Sequence, residues 1–150
     1  MLIDGRAGLT RDEKQAFAFA AAGAALDCAH SKGVLGYCYV YGIGVEVDKE
    51  RGLALGRESA AAGSCFGQLV FGECYESGCG GNVKDKAEAA RLYRLAADQG
   101  YATAQTSLGV MFEFGLGVTP NQAEAVRWYL LADAQGDRSA ADALKRLART

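Results

Sequence analysis

The chain has 150 residues, 50% of them hydrophobic and 23% charged, with a net charge of −2 and a sequence pI of about 5.4. Its acids and bases are interspersed, leaving no basic face for a phosphate backbone; no apolar run approaches the roughly 18 residues that span a bilayer, and MLIDGRAGLT lacks a leader's basic-then-apolar order. A cytoplasmic protein with neither nucleic acid nor membrane as partner is expected, and five cysteines, an odd number, argue against a closed disulfide framework.

In chain order, EKQAFAFAAAG (13–23) reads as a helix introduced by the capping box Thr10-Arg-Asp-Glu13, with Asp12 and Glu13 at its positive end and Gly23 closing it. LGYCYVYGIGV (35–45) then recurs without a gap as FGECYESGCGG (71–81) and LGVMFEFGLGV (108–118), so that Gly36, Gly72 and Gly109 are 36 and 37 residues apart. ESAAAGS (58–64), LAADQGY (95–101) and ADAQGDR (132–138) follow in turn, with Gly63, Gly100 and Gly136 spaced 37 and 36. Two independent markers keep one period, the mark of a repeat.

Each unit predicts two helices. In the first, Leu35, Cys38 and Tyr39, matched by Phe71, Cys74 and Tyr75 and by Leu108, Met111 and Phe112, form an i, i+3, i+4 apolar stripe. Gly42, Gly78 and Gly115 stand just past it, where a left-handed residue commonly closes a helix. No Lys-Ser/Thr follows to make the Gly-x-Gly a phosphate loop, and Ile43, Cys79 and Leu116 between the glycines are expected to fold back onto the helices. The second helices open on Asp85-Lys-Ala-Glu88 and on Thr119-Pro-Asn-Gln122, the latter with proline at its first helical position. Gly36, Gly72 and Gly109 each cost about 0.5–1 kcal/mol in a helix and imply a closely approaching neighbour. Cys38 lies four residues further from Gly23 than Cys74 does from Gly63, which predicts an insertion near LDCAHS (26–31). In SAADALKRLART (139–150), Leu144 and Leu147 keep core positions while Lys145, Arg146 and Arg149 solvate the far side.

One such unit cannot bury its apolar face alone. The expected fold is all-α, an α/α solenoid of antiparallel helix pairs with about seven helices. It is read as a single domain over 1–150, with a partial helix at 10–23, units at 29–64, 65–101 and 102–137, and a capping helix at 138–150.

ATAQTSLGVMFEFGLGV (102–118) with AEAVRWYLLADAQGD (123–137), and AEAARLYRLAADQG (87–100) in the middle unit, resemble the Sel-one-like repeat, a branch of the tetratricopeptide superfamily. The resemblance spans residues 29–137 and implies a right-handed superhelix whose first helices line the concave side. It also implies an adaptor or scaffold in place of an enzyme. The first unit departs from the pattern: Leu55 and Gly56 stand where Trp-Tyr is expected, predicting a less tightly packed second helix. A secreted, cysteine-rich branch staples each second helix to the next first helix; Cys65 occupies such a start, but Ala60-Ala61-Ala62 precede it and the staple is missing.

Chemical candidates are few. Cys28 and His30, two residues apart on a helix, do not face each other. Cys74 and Cys79 share register with Met111 and Leu116 and read as small apolar residues. No zinc spacing occurs, so no catalytic residue, metal or cofactor is expected. Function is expected at positions that vary between units: Tyr37 and Tyr41, Glu73 and Ser77, Val110 and Phe114. Each pair has i, i+4 spacing and so shares a face. Together they would make apolar–aromatic rungs on either side of an acidic one, able to anchor a protein or peptide partner; alternatively, Tyr41 and Phe114 shield packing between repeats. A monomer is expected, with end-to-end association an alternative. The rival functions are a weak penicillin hydrolase, as proposed for the cysteine-rich relatives, and a structural fragment of a longer array.

Overall fold

Helices α1 (Arg6–Ala25), α2 (Ala29–Tyr41), α3 (Lys49–Ala61), α4 (Cys65–Ser77), α5 (Lys86–Asp98), α6 (Ala102–Phe114), α7 (Gln122–Ala134) and α8 (Arg138–Ala148) follow one another, with a short 3-10 turn at Cys79–Gly81. The structure is a computed structural model that describes residues 6–81 and 84–149, with side chains described from 12 to 80 and from 84 to 149. No strand occurs among the described residues. The all-α expectation holds, with eight helices among the described residues: the expected N-terminal helix and C-terminal capping helix flank three pairs. The chain divides into two compact units, Met1–Lys84 and Asp85–Thr150.

Local chemistry sets the helix ends. Gly42, Gly78 and Gly115 take left-handed φ values of 69°, 74° and 67°, and their N–H groups donate to the carbonyls of Cys38, Cys74 and Met111. Helices α3, α5 and α7 are capped by Asp48, Asp85 and Asn121, whose side chains each accept from a backbone N–H three residues on at 3.1 Å. The cap of α7 is therefore Asn121, and the expected box at Thr119 with proline inside the helix does not form. Asn121 N–H is fixed by Phe112 O at 2.8 Å, and Pro120 lies outside the helix with its ring against Gly115.

Helix α1 corrects two expectations. It runs from Arg6, so Thr10 is not its cap, and Asp12 and Glu13 lie beyond the first turn where the dipole acts. The helix therefore passes through the capping signal without stopping there. The predicted insertion is also absent. The ends of α1, α3, α5 and α7 (Ala25, Ala61, Asp98 and Ala134) keep the 36 and 37 spacing. The residue that shares register with Gly63, Gly100 and Gly136 is Asp27, with φ of 62° against their 86°, 90° and 90°. Asp tolerates the left-handed region better than most side chains, so the motif persists without its glycine.

In the first unit, contacts between Gly33 and Ser59, Gly36 and Gly56, and Val40 and Gly52 show α2 and α3 running antiparallel. A Cβ at Gly36 would lie 2.9 Å from Gly52 O and 3.2 Å from Gly56 N. The two backbones touch, so the missing Trp-Tyr gives a closer approach where looser packing was expected. In the second unit the ring of Tyr129 covers Gly109 instead. The second glycine of each Gly-x-Gly meets a different constraint. A Cβ at Gly44, Gly80 or Gly117 would strike the carbonyl oxygen of Glu13, Lys49 or Lys86, residues in one register on α1, α3 and α5.

The first core gathers Val40, Leu53, Val70, Cys74 and Cys79. The second gathers Ala125, Tyr129, Ala132, Ala140 and Ala143, with Leu144 and Leu147 packed on it as expected.

Candidate functional site

In the first unit, α2 and α4 carry an aromatic face. The His30 ring meets the edge of Phe66 at 5.7 Å between centroids, Tyr37 packs on Phe66 at 5.5 Å, and Tyr37 and Tyr41 are 4.5 Å apart. Tyr37 and Phe66 are partly buried against the core, while Tyr41 is 49% exposed. Tyr41 Oη donates to Glu73 Oε2 at 2.9 Å, tying α2 to α4. Burial pushes the Glu73 carboxyl above its ordinary range, against the lowering effect of the Tyr41 hydrogen bond. The same burial, with the Glu73 charge beside it, raises the Tyr41 phenol. Ser77 is exposed, and its Oγ donates to Glu73 O at 3.0 Å within its own helix. The structure thus brings Tyr37, Tyr41 and Glu73 together and turns Ser77 onto its own backbone.

In the second unit, Val110 is half-buried and Phe114 is 59% exposed. The Arg146 guanidinium sits 5.8 Å from the centre of the Phe114 ring. It also donates to Glu113 Oε2 at 2.5 Å and Oε1 at 2.9 Å, while Tyr129 Oη donates to Glu113 Oε1 at 2.7 Å. The Arg146 hydrogen bond holds the Glu113 carboxyl below its ordinary range, and burial raises Tyr129. Arg146, expected on the solvated far side, instead joins α8 to α6. Sequence reasoning missed both Glu113 and Arg146. Carrying the repeat's register into α8 would have found Arg146, because it stands where Val110 stands in α6 and Glu73 in α4. A cleft of about 410 Å³ opens beside this group, lined by Thr106, Val110, Tyr129, Ser139, Asp142, Ala143 and Arg146.

The nucleophile candidates stay apart. Cys28 is exposed at the start of α2, where the Ser31 side chain hydrogen-bonds its thiol and lowers its pKa, and His30 turns to Phe66. Cys74 and Cys79 are buried in the first core, free and within hydrogen-bond reach of each other; burial raises Cys74. Among the described residues no cluster of three metal-ligating side chains forms, and no helix is long and apolar enough to cross a membrane.

Known proteins share this architecture. The c5321 protective antigen of uropathogenic Escherichia coli, which displays an SLR fold, aligns with a TM-score of 0.76 and 32% identity over 88% of this chain and 28% of its own. A Sel1 repeat protein from Oxalobacter formigenes gives 0.73 and 31% over 89% and 55%. Helicobacter pylori cysteine rich protein B, 22% identical with a TM-score of 0.67, is alike in fold alone. Among curated relatives, chitin synthase regulatory factor 3 of Schizosaccharomyces pombe is 28% identical over 62% of this chain. The rat DAP3-binding cell death enhancer 1 is 29% identical over 67%. This chain spans 14% and 19% of those two proteins' lengths. The Sel1 repeat pattern matches residues 1–28, 34–64, 70–101 and 102–137, the first match covering the segment read from sequence as a lone second helix. With the repeat matched over most of its length, and its fold that of the helical solenoids, the chain belongs to the Sel1 repeat family.

Proposed function

We propose that this chain is a non-enzymatic interaction module whose first helices hold a segment of a partner protein. The observation that carries the reading is the set of half-open aromatic side chains on these helices. Tyr41 and Phe114 are 49% and 59% exposed, and each is held by one polar contact to the next first helix. An aromatic ring already fixed in place loses little freedom on binding, which is why tyrosine and its like recur at binding hot spots. Tyr37 and Glu73 complete the face of the first unit, with Ser77 at its edge; Val110 and Phe114 form that of the second. The repeats are read as one domain on the strength of their common period. Relatives named as a regulatory factor and as a DAP3-binding protein support an adaptor's role.

The test is capture of partners from lysate by the full chain and by a variant carrying polar residues at Tyr37, Tyr41, Val110 and Phe114, read by mass spectrometry with circular dichroism as a folding control. Loss of partners from a helical variant supports the module. An unchanged partner set removes these faces from the function.

A further inference from the structure

From the cleft between α6 and α8 we infer that the second unit holds a slot for one aromatic side chain bearing a hydrogen-bond donor, a tyrosine or tryptophan presented by a partner peptide. This deepens the interaction reading and rests on it.

The inference comes from comparing equivalent positions in the two units. Two steps of the 36- or 37-residue period take Tyr37 of α2 to Val110 of α6, and Phe66 of α4 to Ser139 of α8. In the first unit these positions hold two rings packed 5.5 Å apart against the core. In the second unit the same positions carry a valine and a serine, and the 410 Å³ cleft lies against both. The space that the first unit fills with its own rings is open in the second. Its size is that of a small-ligand pocket, which typically takes about 300–1,000 Å³.

The lining also specifies what enters. Val110 and Ala143 offer apolar contact. The charge of Arg146 is spent on Glu113 through two hydrogen bonds. The Asp142 side chain makes no hydrogen bond or ion pair with the described residues, so its carboxylate is free to accept one in the cleft. Thr106 Oγ1 is buried and has no hydrogen-bond partner among the described residues, an arrangement that costs free energy until a ligand or water supplies one. A slot with apolar walls, an unpaired hydroxyl and a free carboxylate complements a ring whose edge donates, as a phenol or indole does. It disfavours an anion.

The experiment uses the full chain and three side-chain mimics, p-cresol, toluene and n-butylammonium chloride, followed by saturation-transfer NMR and titration. We expect weak p-cresol binding, tighter than that of toluene. Ser139→Phe and Val110→Tyr, each restoring a ring the first unit has, should weaken it by about tenfold or more with helicity unchanged. Thr106→Val should erase the preference for p-cresol over toluene. Absence of p-cresol binding, p-cresol binding unaltered in a folded Ser139→Phe chain, or n-butylammonium binding in preference and lost in Asp142→Asn would each overturn the slot. If p-cresol fails while the four-residue variant still loses its partners, the slot falls and the interaction module stands. If p-cresol binds as expected and that variant loses nothing, the slot stands without the module.

Discussion

A methyl group added at Gly109 sets helix propensity against packing, with opposite signs. Propensity alone makes Gly109→Ala stabilising by about 1 kcal/mol. In the structure the new Cβ would lie 2.6 Å from Cε1 and 2.7 Å from Cδ1 of Tyr129, a fully buried ring on a short, stiff side chain. Relief requires the ring to swing away, which breaks the 2.7 Å hydrogen bond from its hydroxyl to the Glu113 carboxylate that also receives Arg146. Overpacking costs about 1–3 kcal/mol and the lost bond to a charged acceptor about 1.5–3. After the propensity gain, the net loss is about 1.5–5 kcal/mol, or roughly 3–20 °C in Tm for a chain of this size. Trp128 is the chain's single tryptophan and precedes Tyr129 on α7, so its fluorescence follows urea and thermal unfolding at the site. The double-mutant cycle with Tyr129→Leu isolates the clash: with the ring removed, Gly109→Ala should cost little or stabilise. A stabilised Gly109→Ala single variant, or zero coupling in the cycle, would refute the reasoning.

The remaining expectations follow from other contacts. Gly52→Ala places a Cβ 2.5 Å from Val40 Cγ2 and 2.8 Å from Gly36 O, so it should lower stability by about 1–3 kcal/mol by urea unfolding; an unchanged midpoint would separate the α2 and α3 backbones. Asp27→Gly relieves a left-handed backbone at the price of the exposed Lys32–Asp27 pair, which contributes little, and should stabilise by about 0.5–1 kcal/mol; a fall in Tm would show the pair to be the stronger term. The two interior acids should respond oppositely to pH. Glu113 is held below its ordinary pKa chiefly by the Arg146 hydrogen bond, so its stabilising effect is present above the ordinary carboxylate range and lost as pH falls through its lowered folded value; Glu113→Gln should flatten the acid limb of a Tm–pH profile. Glu73 is raised by burial, so stability present below the ordinary carboxylate range is lost as pH rises through its raised value. Glu73→Gln should therefore raise Tm at neutral pH and change it little near about pH 4, and equal effects at both would contradict the assignment.

Much of the fold was legible because its determinants are local and recur. The αL glycines 42, 78 and 115 and the cap at Asp85 are each defined by residues within one helical turn, and each stands where the sequence placed it. The errors arose where two local signals competed. Thr10 and Thr119 both begin a cap pattern, yet at 119 the neighbouring Asn121 is fixed by a backbone bond to Phe112, and at 10 the preceding residues continue the helix. Asp27 was passed over because only glycine was sought at a positive-φ position, though the spacing of helix ends points to residue 27. The role of Gly44 and Gly117 was hidden for a different reason: a carbonyl oxygen from an earlier helix, 31 residues back in each case, excludes a side chain there, and no local pattern records it.

The site follows the same division. That Tyr37 and Tyr41 share a face follows from i, i+4 spacing and was readable. That Tyr41 bonds Glu73 depends on the approach of α2 to α4, across 32 residues of sequence. Arg146 was misplaced because its partner, Glu113, lies 33 residues away. The repeat nevertheless supplies the missing constraint. By register, Tyr41 and Glu73 of the first unit are Phe114 and Arg146 of the second, and in both units the two side chains meet: a phenol on a carboxylate in one, a guanidinium over a ring in the other. The geometry of the pair persists while its chemistry changes sign at the partner position, from acid to base. In a repeat fold the packing period is set by glycines and caps that cannot vary freely, whereas these face positions carry different chemistry in each unit. Under the proposed interaction reading, the first-helix faces are therefore where one unit could differ from the next in what it binds without altering how the units are built.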